Sequence, residues 1–529
     1  TLLFFLIASL WQTHSMLSSH FTHTDDTGVA ETLLIRSPGG SACPEVFAKF
    51  EKKLEINLAY VQAPICTLDL WRSRLFIIPS QWTYAPFQFW FTQALLDPRV
   101  NHTYEQIKYL GRLPSFLFFI AGLAAFYYLL RRKLFTVSEN QTLALALATI
   151  VAFSLELRIM SVQMESYAIG LLSNVCILLG LLSLLGIERL SIRQILIYAG
   201  LIAIGISMQY QGVLLAAAGL AALSICYIRS GSVVGSIKKI VLLYGSVLFY
   251  SYALVGNIFR LSNRGVMWNA GQNKEFLVQG VDIFEKLQNL FLLIYWQTNY
   301  NFYSIVSAIE MPDQLAYAFG FLVTSIVLLG IWGLFKKRKE AVDRFILHIS
   351  ALYFLLYCAM LLAGKLTYSP TRHFLYFLPI VIILVGYGVN YLRSMVFRTK
   401  IVNVSLLLLL IGYLSLSLWS FDSFKEKRLD QLNDLMMSKI LSESDPDFIL
   451  LGGYDRDIFF LPATNQSVIY DYLNGPQCEK YRRLLIPNDR KIRFLWFSKR
   501  YEIPSADPSF TKFFTDLVGN CAESTGHTW

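Results

Sequence analysis

The chain has 529 residues, of which 55% are hydrophobic and 16% charged, with a mean hydropathy of +0.48. A water-soluble domain carries roughly 25% charged residues, so this balance excludes a soluble globular protein and points to a polytopic membrane protein. The net charge of +10 is read as Lys and Arg facing anionic lipid from the cytoplasm, not as a nucleic-acid surface.

Taken in order, the chain opens on an apolar stretch, Thr1 to about Trp11, with neither an initiator Met nor a basic leader. It reads as the remainder of a first membrane span, retained and not cleaved, with residues missing upstream. Apolar runs near the length that crosses about 30 Å of hydrocarbon then recur, at about 113–130, 141–158, 166–187, 194–209, 212–228, 238–257, 315–335, 344–363, 374–392 and 401–420. Several are short, and Gln209-Tyr210-Gln211-Gly212 suits a tight hairpin between two of them. The expected fold is therefore all-α and polytopic, with about eleven transmembrane helices over residues 1–420.

Basic clusters orient these spans. Arg131-Arg132-Lys133, Arg189 to Arg193, Arg229 to Lys239, Lys336 to Lys339 and Arg393 to Lys400 all fall on one side of an alternating eleven-span path. That side is cytoplasmic, which puts the N-terminus inside. Three segments then lie outside a plasma (inner) membrane: loops of about 20–112 and 258–314, and a tail of about 421–529. In the tail, short apolar runs (Phe448 to Leu451, Ile458 to Leu461, Ile492 to Phe497) alternate with polar turns, as in a small α/β extracytoplasmic domain. In the first loop, Glu45 to Glu55 has helical periodicity, and the aromatic stretch Trp82 to Trp90 suits a segment lying on the bilayer.

The loops carry the residues with chemistry. Asp25, Asp26 and Glu31 place three carboxylates within seven residues, just beyond the first span. Paired carboxylates do acid/base work, bind a metal or hold basic neighbours; Asp25-Asp26 also suits a helix N-cap. Ionisable residues recur at the outer ends of spans, where positive-inside topology asks for none: Arg112, Glu156, Arg158, Glu165, Arg260, Arg264, Lys365, Arg372 and His373. Charges at a membrane edge are costly and mark functional sites. Grouped cations at that level hold phosphate through charge-assisted hydrogen bonds, while the plainer reading of each is a snorkelling side chain or a structural ion pair.

In their order and spacing these residues resemble the GT-C superfamily of polytopic glycosyltransferases, in particular the group of lipid A aminoarabinose transferase and the protein O-mannosyltransferases. The acidic pair with its following turn is similar to Asp25-Asp26-Thr27-Gly28-Val29-Ala30-Glu31, and a Pro-Pro-Leu motif appears in part as Tyr84-Ala85-Pro86-Phe87. Arg-Leu-Pro-Ser stands intact as Arg112-Leu113-Pro114-Ser115. A carboxylate before an aromatic helix resembles Met164-Glu165-Ser166-Tyr167-Ala168, and a Pro-x-Arg-Tyr-like signature resembles Pro370-Thr371-Arg372-His373. Where the family has a basic residue before Pro-Pro, Thr83 and Tyr84 stand instead.

The resemblance implies inverting transfer of a sugar from a polyprenyl-phosphate donor to a glycan, lipid or protein acceptor. Asp25 is then the first-choice base, Asp26 the second, and Glu165 a supporting carboxylate. Arg112, Arg158, Arg264, Arg372 and His373 would hold the donor phosphate, with Glu31, Tyr84 and Lys365 lining the substrate. No cofactor is firmly implied, and a divalent metal is left open. The alternatives are an inactive GT-C-like subunit of a membrane complex, and a transporter of lipid-linked sugars.

Of the seven cysteines, Cys176, Cys226 and Cys358 fall in spans, Cys43 and Cys66 share the first outer loop, and Cys478 and Cys521 share the tail. Both pairs lie on the expected oxidising side. Non-reducing peptide mapping should find Cys43 joined to Cys66 and Cys478 to Cys521; free thiols at all four positions would overturn the assigned orientation.

Overall fold

The computed structural model describes residues 1–18, 86–95, 104–136, 141–163, 167–185, 191–209, 211–230, 233–255, 278–337, 340–368, 372–395, 400–428, 448–453, 467–470 and 492–497. These residues are overwhelmingly helical. In chain order the helices are α1 (Leu2–Ser15), α2 (Pro86–Leu95), α3 (Tyr104–Leu129), α4 (Gln141–Phe153), α5 (Leu155–Ser161), α6 (Ile169–Leu185), α7 (Ile192–Met208) and α8 (Gly212–Ser230). They continue with α9 (Val233–Val255), α10 (Ile283–Val306), α11 (Asp313–Lys336), α12 (Ala341–Leu362), α13 (Leu378–Met395) and α14 (Lys400–Arg428). A 3-10 turn, Met16–Ser18, extends α1, and a second, Arg372–Phe377, leads into α13.

The described residues of each apolar stretch read from the sequence are largely helical. Among the described residues four helices are long and apolar enough to cross a membrane, at Tyr109–Leu134, Asp313–Lys336, Ala341–Leu362 and Phe374–Met395. The pair α4 and α5, bent by 62°, makes a fifth if taken as one broken span. Leu3, Phe4, Ile7 and Trp11 of α1, and Leu248, Phe249 and Tyr252 of α9, leave large apolar side chains on the outside. Such surface suits hydrocarbon and is penalised in water.

Local chemistry sets the helix ends. Ser191 caps α7 in a reciprocal box with Gln194, which satisfies two of the first-turn N–H groups. At α10 the Asp282 side chain accepts from the Glu285 N–H at 2.8 Å, while Glu285 accepts at 2.7 Å from the N–H of Val281, one residue before the cap. The break between α4 and α5 falls at Ser154, whose hydroxyl caps α5; the Leu155 N–H there donates to the Ser307 carbonyl at 2.8 Å. At the end of α12, Gly364 sits at φ +66°. Its N–H donates to Leu361 O, and that of Lys365 to Met360 O, both at 2.9 Å. This pair of bonds around a left-handed glycine is the Schellman ending. Gln209 to Gln211 join α7 to α8, and the Gly212 N–H donates to Gln209 O, forming the tight hairpin read from the sequence.

The segment 258–314, expected as an outer loop, contains α10 among its described residues, a 24-residue helix packed against α11. Among the tail residues described, strands run at Phe448–Gly453 (β1), Ser467–Tyr470 (β2) and Ile492–Phe497 (β3). They pair in parallel in the order β2-β1-β3. The first and third coincide with apolar runs read from the sequence; the run Ile458 to Leu461 lies outside the described residues, as do both expected cysteine pairs.

Small residues set close helix approaches. Gly330 of α11 lies against the Leu384 carbonyl of α13, and Gly388 of α13 against the Ile326 carbonyl of α11, so a Cβ at either position would meet backbone. Contacts of this kind drive association where water does not. Gly330→Val should therefore lower stability by about 2 kcal/mol, in the range of an overpacked core, read as an earlier unfolding transition of the detergent-solubilised chain. An unchanged transition would show that the α11–α13 crossing does not depend on the glycine.

Candidate functional site

The Arg112-Leu113-Pro114-Ser115 run forms part of α3 near its N-terminal end, and Pro114 is the proline inside that helix. Arg112 and Ser115 are three residues apart and share one helix face. Arg112 is 1% exposed, and its Nη1 donates to the carbonyls of Met16 at 3.4 Å and Leu17 at 3.3 Å. These carbonyls belong to the 3-10 turn that ends the first helix, where backbone acceptors lack helical partners and favour a cation. Asp25 follows that turn in sequence by seven residues.

Ser115 serves two other segments. Its hydroxyl donates to the Gln163 carbonyl and accepts from the Gln88 side-chain amide of α2. Gln88, Thr92, Ser115 and Gln163 are all buried. Gln163 precedes Glu165 by two residues, and α2 begins two residues after Tyr84. A single turn of α3 thus anchors the described flanks of three segments that carry sequence-predicted residues.

The other flank of Glu165 meets the 3-10 turn Arg372–Phe377. The rings of Tyr167 and Tyr376 lie 6.2 Å apart. Tyr376 is held from several helices: Asn174 of α6 donates to its carbonyl at 2.9 Å, Tyr353 of α12 donates to the same carbonyl at 3.4 Å, and Gln209 donates to its hydroxyl at 2.5 Å. Phe374 and Phe377 stack at 4.8 Å, with Tyr353 and Tyr357 packed on Phe377. The backbone that carries Arg372 and His373 is therefore fixed by aromatic packing and by buried amides.

Arg158, expected at the donor phosphate, has its described bonds within the bundle. It is fully buried, and its bonds run to the first helix: Nε to Thr13 Oγ1 at 2.9 Å and Nη2 to Gln12 Oε1 at 3.3 Å. Its guanidinium lies 4.0 Å from the centre of the Phe421 ring of α14. Its Nη1 is buried and has no hydrogen-bond partner among the described residues. Gln12 in turn donates to Leu418 O at 2.9 Å, and Ser9 to Ala152 O at 2.8 Å. Ser9, Gln12 and Thr13 form a polar seam along α1, and Arg158 closes it against α5 and α14.

Of the remaining residues singled out in the sequence, Lys365 is half-buried on the Schellman turn after α12. Arg372 and His373 are placed by their backbone in the 3-10 turn. Asp25, Asp26, Glu31, Tyr84, Glu165 and Arg264 lie outside the described residues. Among the described residues no cluster of His, Cys, Asp or Glu has the makings of a metal site. Sequence reasoning missed Gln88, Gln163, Asn174 and Gln209. The available signal was a lone amide inside or beside an apolar run, which membrane burial tolerates only where it bonds.

Comparison of the chain with protein-family models and with curated protein sequences finds no match. The functional reading therefore rests on the residues themselves.

Ser115→Ala would remove both bonds of the hydroxyl from a buried setting. It should cost about 1–3 kcal/mol and expose the 162–163 turn to faster backbone hydrogen exchange, measured by mass spectrometry on the solubilised chain. Unchanged exchange there would show that the turn is held by other contacts.

Proposed function

We propose that the chain is an integral-membrane glycosyltransferase of the GT-C kind. More particularly, it moves a sugar from a polyprenyl-phosphate donor to an acceptor on the extracytoplasmic side of a plasma membrane. The observation that carries this reading is the Arg112–Ser115 turn. It ties the end of the first helix, α2 and the turn leading to Glu165 to one point of α3. An architecture that gathers the roots of the acidic loop, the aromatic stretch and Glu165 suits a site assembled from several loops.

The fuller picture belongs to the same proposal: about eleven crossings with a cytoplasmic N-terminus, outer loops of about 20–112 and 258–314, and a C-terminal α/β domain beginning near residue 421. In the reaction, an acceptor hydroxyl or amine attacks the anomeric carbon. The bond to the phosphate oxygen breaks with inversion, and polyprenyl phosphate leaves. Asp25 takes the proton from the attacking group, which requires hydrogen-bond reach. Asp26 orients or pairs, and Glu165 supports from the turn held by Ser115.

Positive charge stabilises the leaving phosphate best in a poorly hydrated site. Arg372 is the first candidate, held by the clamped 3-10 turn, with His373 beside it and Arg264 and Lys365 as further cations. Arg112 has its described bonds on helix-end carbonyls and is proposed to position the acidic loop. Arg158, gripping α1 and α14, is assigned to the bundle itself.

Asp25→Asn should abolish sugar transfer in a complementation assay at unchanged membrane abundance; full activity would move the base to Asp26 or Glu165. In the same assay Arg372→Lys, which keeps the charge but loses the planar fork, should raise the donor concentration needed at least tenfold with little change in thermal stability. Equal loss of stability and donor use would assign Arg372 to the fold.

A further inference from the structure

The segment before α11, expected as an outer loop, is rich in Gln, Asn, Thr and Tyr. The structure seats several of these side chains within the bundle. Thr298 bonds the Tyr368 hydroxyl at 3.0 Å, Asn299 accepts from Thr324 of α11 at 2.8 Å, and Asn301 is fully buried. The polar side chains at 298, 299 and 301 thus turn into the bundle. Toward its N-terminal end the same helix carries an outward stripe of Phe284, Phe291, Tyr295 and Trp296, which are 62–80% exposed.

Three further observations say what covers that stripe. From Leu287 to its end at Val306 the helix holds no Asp, Glu, Lys or Arg, and this uncharged stretch rises about 30 Å, the thickness of a hydrocarbon layer. The helix approaches α11 backbone to backbone, Gly320 lying against the Asn299 carbonyl, and it adds an interhelical hydrogen bond at Thr324. Small residues and polar pairs between helices are how helices pack within lipid. Finally, α11 is itself one of the helices long and apolar enough to cross, and it leaves Phe321, Leu322 and Leu328 exposed. The stripe on α10 thus belongs to a helix packed flank to flank with a membrane-competent neighbour.

We infer that α10 is embedded in the bilayer, with Phe284, Phe291, Tyr295 and Trp296 against lipid acyl chains and its amides serving the interior of the bundle. Its binding partner is membrane lipid. This inference does not rest on the proposed enzyme activity. It has a corollary: the polar inner face of α10, through Thr298 and Tyr368, supports the segment that runs on to Arg372 from within the membrane.

The test is cysteine accessibility in the full-length chain, one copy per phosphatidylcholine/phosphatidylglycerol nanodisc. A membrane-impermeant maleimide is applied, and each site is read by peptide mass mapping so that the native cysteines stay in place. Phe291→Cys and Tyr295→Cys should react at least tenfold more slowly than Glu310→Cys, which sits on the exposed connection to α11. Two variants on an outward face guard against a single misfolded one, and monodisperse elution confirms the fold. In addition, p-benzoylphenylalanine at position 291 should crosslink to phospholipid. Labelling of Phe291→Cys and Tyr295→Cys as fast as Glu310→Cys would overturn the inference in favour of an aqueous face. Protection in native membranes that disappears in single-copy discs would overturn it in favour of a protein partner or a second copy.

Discussion

The arrangement depends on how a guanidinium is accommodated in a largely apolar bundle. Arg158 is fully buried, and it is met by Thr13, Gln12 and the face of Phe421. Desolvating a cation is costly, and a cation–π contact returns about 2 kcal/mol when water is excluded. Charged hydrogen bonds add roughly 1.5–3 kcal/mol each. The compensation exists only if α1, α5 and α14 sit together, so the charge specifies which helices pack with which. An apolar side chain at the same place would pack against many neighbours equally well. This is a specificity argument, and Arg158 makes it because each of its partners comes from a helix other than its own.

The same logic recurs through the chain with smaller groups. Ser115, Asn174 and Gln209 are single polar residues in apolar surroundings, and each bonds to a different segment. Within lipid an unsatisfied polar group finds no water, so each such residue selects one arrangement of its neighbours. The bundle is thereby pinned near the turns that precede and follow Glu165 and near the turn that carries Arg372. Pinning by sparse polar bonds leaves the outer surface free to be uniformly apolar, as α1, α9 and α11 show.

Function and fold draw on the same residues. Arg112 belongs to the motif that suggested a glycosyltransferase, and its described bonds go to the carbonyls that end the first helix. In the proposed enzyme a residue of this kind sets the geometry of the acidic loop without touching substrate. Arg158, expected beside the donor phosphate, bonds Thr13 and Gln12 of the first helix. The partners of a buried cation, not its place in the sequence, show what it holds together.

The sequence by itself determined that the chain is largely helical with segments apolar enough to cross a membrane, where most of its described helices fall, and the apolar runs on which two of its three described strands lie. These follow from hydrophobic runs and their lengths, which are local properties. It also marked Arg112 to Ser115 as a unit, and it located the Gln209–Gly212 hairpin through its polar break and its glycine. What only the tertiary structure decided is which charges are shared between distant segments. Arg158 meets Thr13 across 145 residues, and Gln209 meets Tyr376 across 167, separations over which no periodicity carries information. The helix at Ile283–Val306 was hidden for a related reason. Average hydropathy does not distinguish polar residues turned inward from polar residues facing water, and only packing against α11 and Tyr368 fixes which way they face.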